Sequence, residues 1–248
     1  MIKFDNVDKS FGSNHVLRGV SLTVERGQSM VIIGGSGTGK SVLIKTVLGL
    51  VTPDTGQIFV DGHDVTKAKH DDFLNRFGML FQGGALFDSM PVWQNVAFRL
   101  QRGHLKRPKE EARAIAIEKL RRVGLGTDVA DRLPAELSGG MQKRVSLARA
   151  IATNPEIIFF DEPTTGLDPI MSFVINDLIR EIVVEMGVTA MTITHDMTSV
   201  GTIADKVAML HDGVIQWCGS LNDMSQSGNP YVDQFVNGHA DGPIKTLR

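Results

Sequence analysis

A chain of 248 residues can bury a substantial core, as one large domain or as one domain carrying a subdomain. Its formal net charge of -2 supplies no broad basic field, which speaks against nucleic acid as the main partner. Cys218 is the single cysteine, so an internal disulfide or a cysteine-built zinc site is excluded, and the seven histidines show no metal-ligand spacing.

Ile2, Phe4 and Val7 alternate with polar residues and predict a half-buried strand. Met1-Ile2-Lys3-Phe4 enters this pattern at once, so no secretory signal is expected. Phe11-Gly12 marks a short break before Val16 to Val24, where Leu22 and Val24 alternate again. Ser29-Met30-Val31-Ile32-Ile33 is an apolar run that stops at Gly34-Gly35-Ser36-Gly37-Thr38-Gly39-Lys40-Ser41, and apolar residues at helical spacing follow. Gly34, Gly39, Lys40 and Ser41 satisfy the G-x-x-x-x-G-K-[ST] pattern. Glycines let backbone N–H groups turn inward around phosphate oxygens, and the helix behind them offers its unpaired N–H groups and positive dipole end. Lys40 supplies a point charge for β- and γ-phosphates, and Ser41 a hydroxyl for Mg²⁺. The bland alternative is a glycine-rich surface turn, but the strand–loop–helix setting argues for a nucleoside triphosphate site.

Gln57-Ile58-Phe59-Val60 leads into Asp61-Gly62, a turn between short strands. The charge run Lys67-Ala68-Lys69-His70-Asp71-Asp72 reads as a solvated helix start or loop. Phe77 to Phe81 predicts a buried strand ending at Gln82-Gly83-Gly84. Residues 85–104 are aromatic and short on alternation, with Phe87, Trp93 and Phe98 among them. Pro108 to Gly124 predicts a helix with Ala112, Ile115, Ala116, Leu120 and Val123 on one face, and another begins near Ser138 and carries Val145, Ala148, Ile151 and Ala152 inward. Ile157 to Phe160 is a second fully buried strand ending at Asp161-Glu162-Pro163. A helix from Ile170 to Met186 stops at Gly187, Val188 to Thr194 is a strand ending at His195-Asp196, and Val207 to Leu210 with Val214 to Trp217 forms a hairpin around Asp212-Gly213. Past Gly228 the chain reads as a tail. No apolar run approaches the roughly 18 residues a membrane span needs, so a soluble, cytosolic protein is expected.

Strands alternating with helices imply an α/β fold: a largely parallel sheet with antiparallel pieces at the beginning and end. Residues 1–84 and 153–227 are expected to form the sheet-bearing core, 85–152 an inserted helical subdomain, and 228–248 a C-terminal tail. The apolar strand that delivers Asp161 would place this carboxylate at a sheet's C-terminal edge, where it can hold Mg²⁺. Glu162 beside it can take a proton from an attacking water; the competing reading is that the pair caps the following helix. Leu137-Ser138-Gly139-Gly140-Met141-Gln142 is, at its plainest, a serine N-cap. Two consecutive glycines cost a helix roughly 1 kcal/mol each, however, and exposed backbone at a helix start is a second anion site. Two phosphate-facing loops in one chain suggest that each completes a neighbour's site.

Together these motifs resemble the ATP-binding subunits of ABC transporters over about residues 1–225, with a P-loop NTPase, RecA-like core. In that likeness Gln82 stands in the Q-loop, Leu137 to Gln142 is the signature, Gly166-Leu167-Asp168 is the D-loop and His195 is the switch histidine. The resemblance implies a head-to-tail homodimer holding two ATPs with Mg²⁺, and an integral-membrane permease as partner. Gly34, Gly35, Ser36, Gly37, Thr38, Gly39, Lys40 and Ser41 would hold the phosphates, and Asp168 would join the nucleotide-binding set. Ser41, Gln82 and Asp161 would surround the metal, with Gln82 also touching the attacking water. Glu162 would be the general base, His195 would hold the γ-phosphate, and Ser138, Gly139 and Gly140 would reach the γ-phosphate bound by the other copy. Phe11 stands where the family often has a tyrosine stacking on adenine; the ring face is kept and only the hydroxyl is lost. Met141 departs from the usual signature glutamine, while the backbone and Ser138 remain for the contact.

A narrower likeness runs through Phe81-Gln82-Gly83-Gly84-Ala85-Leu86-Phe87-Asp88-Ser89-Met90 and Asn95 to Phe98. It resembles the ATPases of MCE-type phospholipid transporters, the Mla family, as does the tail Gln234 to Gly238 with Asp241-Gly242-Pro243. That likeness implies peripheral attachment to the cytoplasmic face of the inner membrane, MCE- and STAS-domain subunits as further partners, and a groove along residues 81–98 for a permease helix. For Phe98 ordinary core packing stands beside that reading. The rivals are an ATPase of a small-solute importer, a soluble ABC protein working on ribosomes or DNA, and a P-loop kinase or GTPase. The last two fit poorly with one cassette, no long insert and a Ser-Gly-Gly signature.

Overall fold

The computed structural model describes residues 2–66 and 71–245. Alternation gives the first strands their faces. β1 (Ile2–Phe11) buries Ile2, Phe4 and Val7, and pairs antiparallel with β2 (Asn14–Val24) from Ile2↔Val24 to Phe11↔Asn14. Phe11 thus ends the strand rather than sitting in a break, and the turn falls to Gly12 and Ser13. β3 (Ser29–Ile33) is buried at every position and feeds α1 (Lys40–Val47). β4 (Thr55–Val60) pairs with β1, and β5 (His63–Asp64) folds back on it. The turn between them holds Asp61 at φ 49° and Gly62 at φ 80°, the positive pair that a two-residue hairpin wants. Lys67 to His70 of the charge run lie outside the described residues.

Next come α2 (Asp71–Leu74), β6 (Phe77–Leu80), α3 (Val92–Val96), α4 (Lys109–Arg122), α5 (Gly139–Ile151), β7 (Ile157–Asp161) and α6 (Pro169–Met186). The chain ends with β8 (Thr189–Thr194), α7 (Met197–Ile203), β9 (Lys206–His211), β10 (Val214–Ser220) and α8 (Pro230–Asn237). Two compact units result, Met1–Lys69 with Met191–Arg248, and His70–Ala190.

The first unit holds the antiparallel sheet β2-β1-β4-β5 and, separately, β9 between antiparallel β10 and parallel β3. In the second, β6 and β7 run parallel in register from Phe77↔Ile157 to Leu80↔Phe160. Both faces of β7 are covered, as its unbroken apolar run requires. Helix boundaries follow their punctuation. α4 follows Pro108, carries Glu110 and Glu111 in its first turn and Lys119, Arg121 and Arg122 in its last, matching the helix dipole. α6 starts behind the cap Asp168 and ends at Gly187 in the left-handed conformation.

Three expectations are corrected. Phe81 does not continue the buried strand: β6 ends at Leu80, the chain turns, and Phe81 is 40% exposed. Trp93 does not line an open groove; α3 buries it to 4%. Residues past Gly228 do not trail off. Asn229 caps α8, Val232 and Gln234 are buried, and the Gln234 amide both donates to Ile244 O (3.0 Å) and accepts from Ile244 N (2.7 Å). Buried Val232 and the paired Gln234 hydrogen bonds hold the segment together. Among the described residues, no helix is long and apolar enough to cross a membrane.

Candidate functional site

In the first unit the buried strand β3 ends on Gly34, whose φ is 153°, and a Cβ there would lie 2.2 Å from Leu210 O. Backbone approach this close admits only glycine. The loop then turns through Gly35, Ser36, Gly37 and Thr38, with the Thr38 hydroxyl donating to Gly35 O (3.0 Å), and enters α1 at Gly39. Gly39, at φ 101°, offers no side chain to cap the helix, so α1 begins with backbone N–H groups turned toward the loop. Lys40 is only 7% exposed, and its ammonium donates to Gly34 O and Gly35 O, both at 2.7 Å. A buried cation against an uncapped helix start is a corner built for an anion, and a phosphate fits it. Ser41 follows as the second residue of the helix.

Phe11 lies in the same unit with its ring 49% exposed, and the Lys9 ammonium sits 5.3 Å from the ring centre. His195 is exposed directly after β8. Its neighbour Asp196 caps α7, accepting from Thr198 N (2.9 Å), Ser199 N (3.3 Å) and the Ser199 hydroxyl (2.7 Å). This short helix was not anticipated, although the Asp-x-Thr-Ser spacing is a capping signal. It fixes the backbone on the C-terminal side of His195.

In the second unit the register of β6 on β7 carries Gln82 and the pair Asp161-Glu162 to the same sheet edge. This is the C-terminal edge of parallel strands, where ligands of α/β sheets bind. Asp161 ends β7 at 8% exposure. Glu162 follows with φ 48°, a left-handed value that costs a non-glycine residue of order 1–3 kcal/mol. Its carboxylate accepts from the Thr165 hydroxyl (3.1 Å), and its carbonyl from Thr165 N (3.3 Å). Capping of the following helix falls to Asp168, which accepts from Ile170 N (2.9 Å) and Met171 N (3.0 Å), rather than to Asp161 or Glu162.

Ser138 caps α5, its hydroxyl oxygen accepting from Met141 N at 3.3 Å. The plain reading of that serine is therefore correct as far as it goes, and Ser138 and Gly139 remain exposed at the helix start. A Cβ on Gly140 would meet Met171 Cε at 2.5 Å, and Leu167 lies 3.9 Å from the corresponding point on Gly139. The signature and the D-loop are thus in contact. One functional neighbour escaped sequence reasoning: Lys143, 5% exposed, donates to Glu162 O at 3.4 Å. Burial pushes its ammonium below the ordinary lysine value, and the carboxylates of Asp161 and Glu162 push it back up. Its signal was position, three residues after Gly140 and so on the inward face of α5.

The Ser41 hydroxyl, the Asp161 carboxylate and the Gln82 amide oxygen are hard oxygen donors of the kind Mg²⁺ takes. The phosphate loop, Phe11 and His195 belong to the first unit; Gln82, Ser138 to Gly140, Asp161, Glu162 and Asp168 belong to the second.

Comparison with known proteins draws these features together. The pattern of the ABC transporter family matches residues 17–165. The chain is 41% identical over 246 residues to a probable ribonucleotide transport ATP-binding protein, mkl, of Mycobacterium tuberculosis, covering 98% of this chain and 68% of that one. It is 41% identical over 245 residues to the intermembrane phospholipid transport system ATP-binding protein MlaF of Escherichia coli, covering 97% and 90%. An ATP-binding cassette solved as a dimer in a post-hydrolysis state bound to ADP and Pi superposes with a TM-score of 0.81 at 30% identity, covering 89% of this chain and 99% of that one.

Proposed function

Because the chain belongs to the ABC transporter family and is an ATPase of that family, we propose that it is the motor subunit of a system moving phospholipid between membranes. The observation that carries this reading is the 41% identity to MlaF along nearly the whole length of both chains. The stretch from Gly83 to Ser89 supports the same choice over a small-solute importer, the use that the name of the mycobacterial relative suggests.

In this reading Lys40 and the N–H groups opening α1 hold the β- and γ-phosphates of ATP, and Phe11 stacks on the adenine. Ser41, Asp161 and Gln82 hold Mg²⁺, which when bound neutralises charge on the phosphate oxygens. Glu162 accepts the proton of the attacking water, work worth roughly 10²–10⁴ in rate. Its left-handed backbone supports that role, since strain at a single non-glycine residue clusters at functional sites. His195 holds the γ-phosphate in line. Ser138, Gly139 and Gly140 meet the γ-phosphate of the ATP carried by a second copy, so that two head-to-tail chains close on two nucleotides. The residues 85–152 act as a helical subdomain, and 1–84 with 153–227 as the nucleotide-binding core. The motor sits on the cytoplasmic face of the inner membrane through an integral-membrane permease, with MCE- and STAS-domain subunits as further partners. Affinity purification of the full-length chain from detergent-solubilised membranes tests the transport reading. A permease and phospholipid, identified by mass spectrometry, are expected to come with it; a solute-importer permease without bound lipid would overturn the lipid assignment.

A further inference from the structure

Gln82 occupies the second position of a turn closed by Gly84 N donating to Phe81 O at 2.9 Å. After it come three residues with positive φ in succession, Gly83 at 72°, Gly84 at 81° and Ala85 at 47°. Ala85 is not a residue that adopts this conformation unaided, and such backbone persists only where its surroundings hold it. The hold comes from α5. The Arg149 guanidinium donates from Nη2 to Gly84 O and from Nη1 to Ala85 O, both at 2.7 Å. The Ser146 hydroxyl lies 3.0 Å from Gly84 O, and 2.9 Å from Gln142 O in its own helix. A Cβ on Gly84 would come within 2.8 Å of that hydroxyl, so the turn rests directly on the helix. Two carbonyls of successive residues match the fixed planar fork of a guanidinium, a geometry that a shorter-reaching, point-like ammonium does not reproduce. The fork is half-buried, and that burial lowers the Arg149 pKa from the ordinary guanidinium value.

The other end of α5 is the Ser138-Gly139-Gly140 signature, about 16 Å away at the helical rise of 1.5 Å per residue. A helix of this length moves as a rod. We propose that Arg149, assisted by Ser146, is a positioning residue for hydrolysis: it ties the Gln82 turn to the signature helix, so that seating the signature also sets the Gln82 side chain. The proposal deepens the ATPase reading and rests on the role given there to Gln82.

The test is a double-mutant cycle on the full-length chain, in the assembly that co-purifies with it, with kcat and KM for ATP as readouts. Arg149→Lys is expected to lower kcat roughly tenfold, within the range that misplacing a catalytic group costs, and to leave KM within about twofold. In a Gln82→Ala background the same substitution is expected to change kcat no further, because a residue acting through Gln82 has nothing left to position. Independent, multiplying effects on kcat, or an Arg149→Lys variant with unaltered kcat, would overturn the proposal. Ser146→Ala, which removes one donor from the turn, is put through the same cycle should Arg149→Lys fail to fold. If Gln82→Ala alone keeps full kcat, the catalytic role of Gln82 falls, and this proposal with it; multiplying effects leave that role standing.

Discussion

Glu162 shows how much one residue concentrates. It holds a left-handed backbone, its carbonyl accepts from a buried ammonium, and its carboxylate stands beside Asp161 at the edge of β7. Glu162→Gln keeps the shape and removes the carboxylate that we propose as the base. Turnover is expected to fall by roughly 10²–10⁴ with ATP binding retained, measured as kcat alongside the dissociation constant of a fluorescent ATP analogue. Undiminished turnover in that variant would remove Glu162 from its role. The residues of the candidate site are proposed from residue types in order: Lys40 and Ser41 close the glycine-rich loop behind β3, and Asp161 and Glu162 close the apolar run of β7. Lys143 carries only a positional signal, its spacing from Gly140, because a lysine in a helix by type alone reads as surface.

At the scale of elements, the long periodic segments declared themselves and the short ones did not. α4, α5 and α6 carry both apolar faces and end signals, and their bounds lie within a residue or two of the sequence reading. α7 and α8 span only two turns each, too little for a periodic face to show, and depend on the caps Asp196 and Asn229. Aromatics dominate the sequence of the loop after Gln82, yet a polar side chain organises it. Asn95, fully buried, accepts from Phe87 N (2.7 Å) and donates to Phe87 O (3.1 Å) and Met90 O (2.9 Å), while the Phe87 ring stacks on Phe98 with centres 4.4 Å apart. Asn95→Ala strands those buried backbone groups and is expected to destabilise the fold by about 1–3 kcal/mol. Urea unfolding monitored by circular dichroism measures this, and an unchanged midpoint would show that the loop does not depend on Asn95.

On the scale of the whole molecule, we propose that one chain carries two incomplete sites. The uncapped start of α1 with the buried Lys40 is one, and the exposed start of α5 at Ser138 and Gly139 is the other. A nucleotide held by the first in one copy is completed by the second from another copy, so ATP should drive two chains together. Closed cyclic dimers of this kind bury the same pair of surfaces twice. Their formation is linked to ligand binding by mass action. The most direct measurement is the solution mass of the Glu162→Gln chain by light scattering, with and without saturating ATP. Mass is expected to double on adding ATP, and to stay at one chain when Gly139→Asp is added to block the second half-site. A mass that stays at one chain with ATP bound, or a Gly139→Asp variant that pairs as readily, would contradict the account.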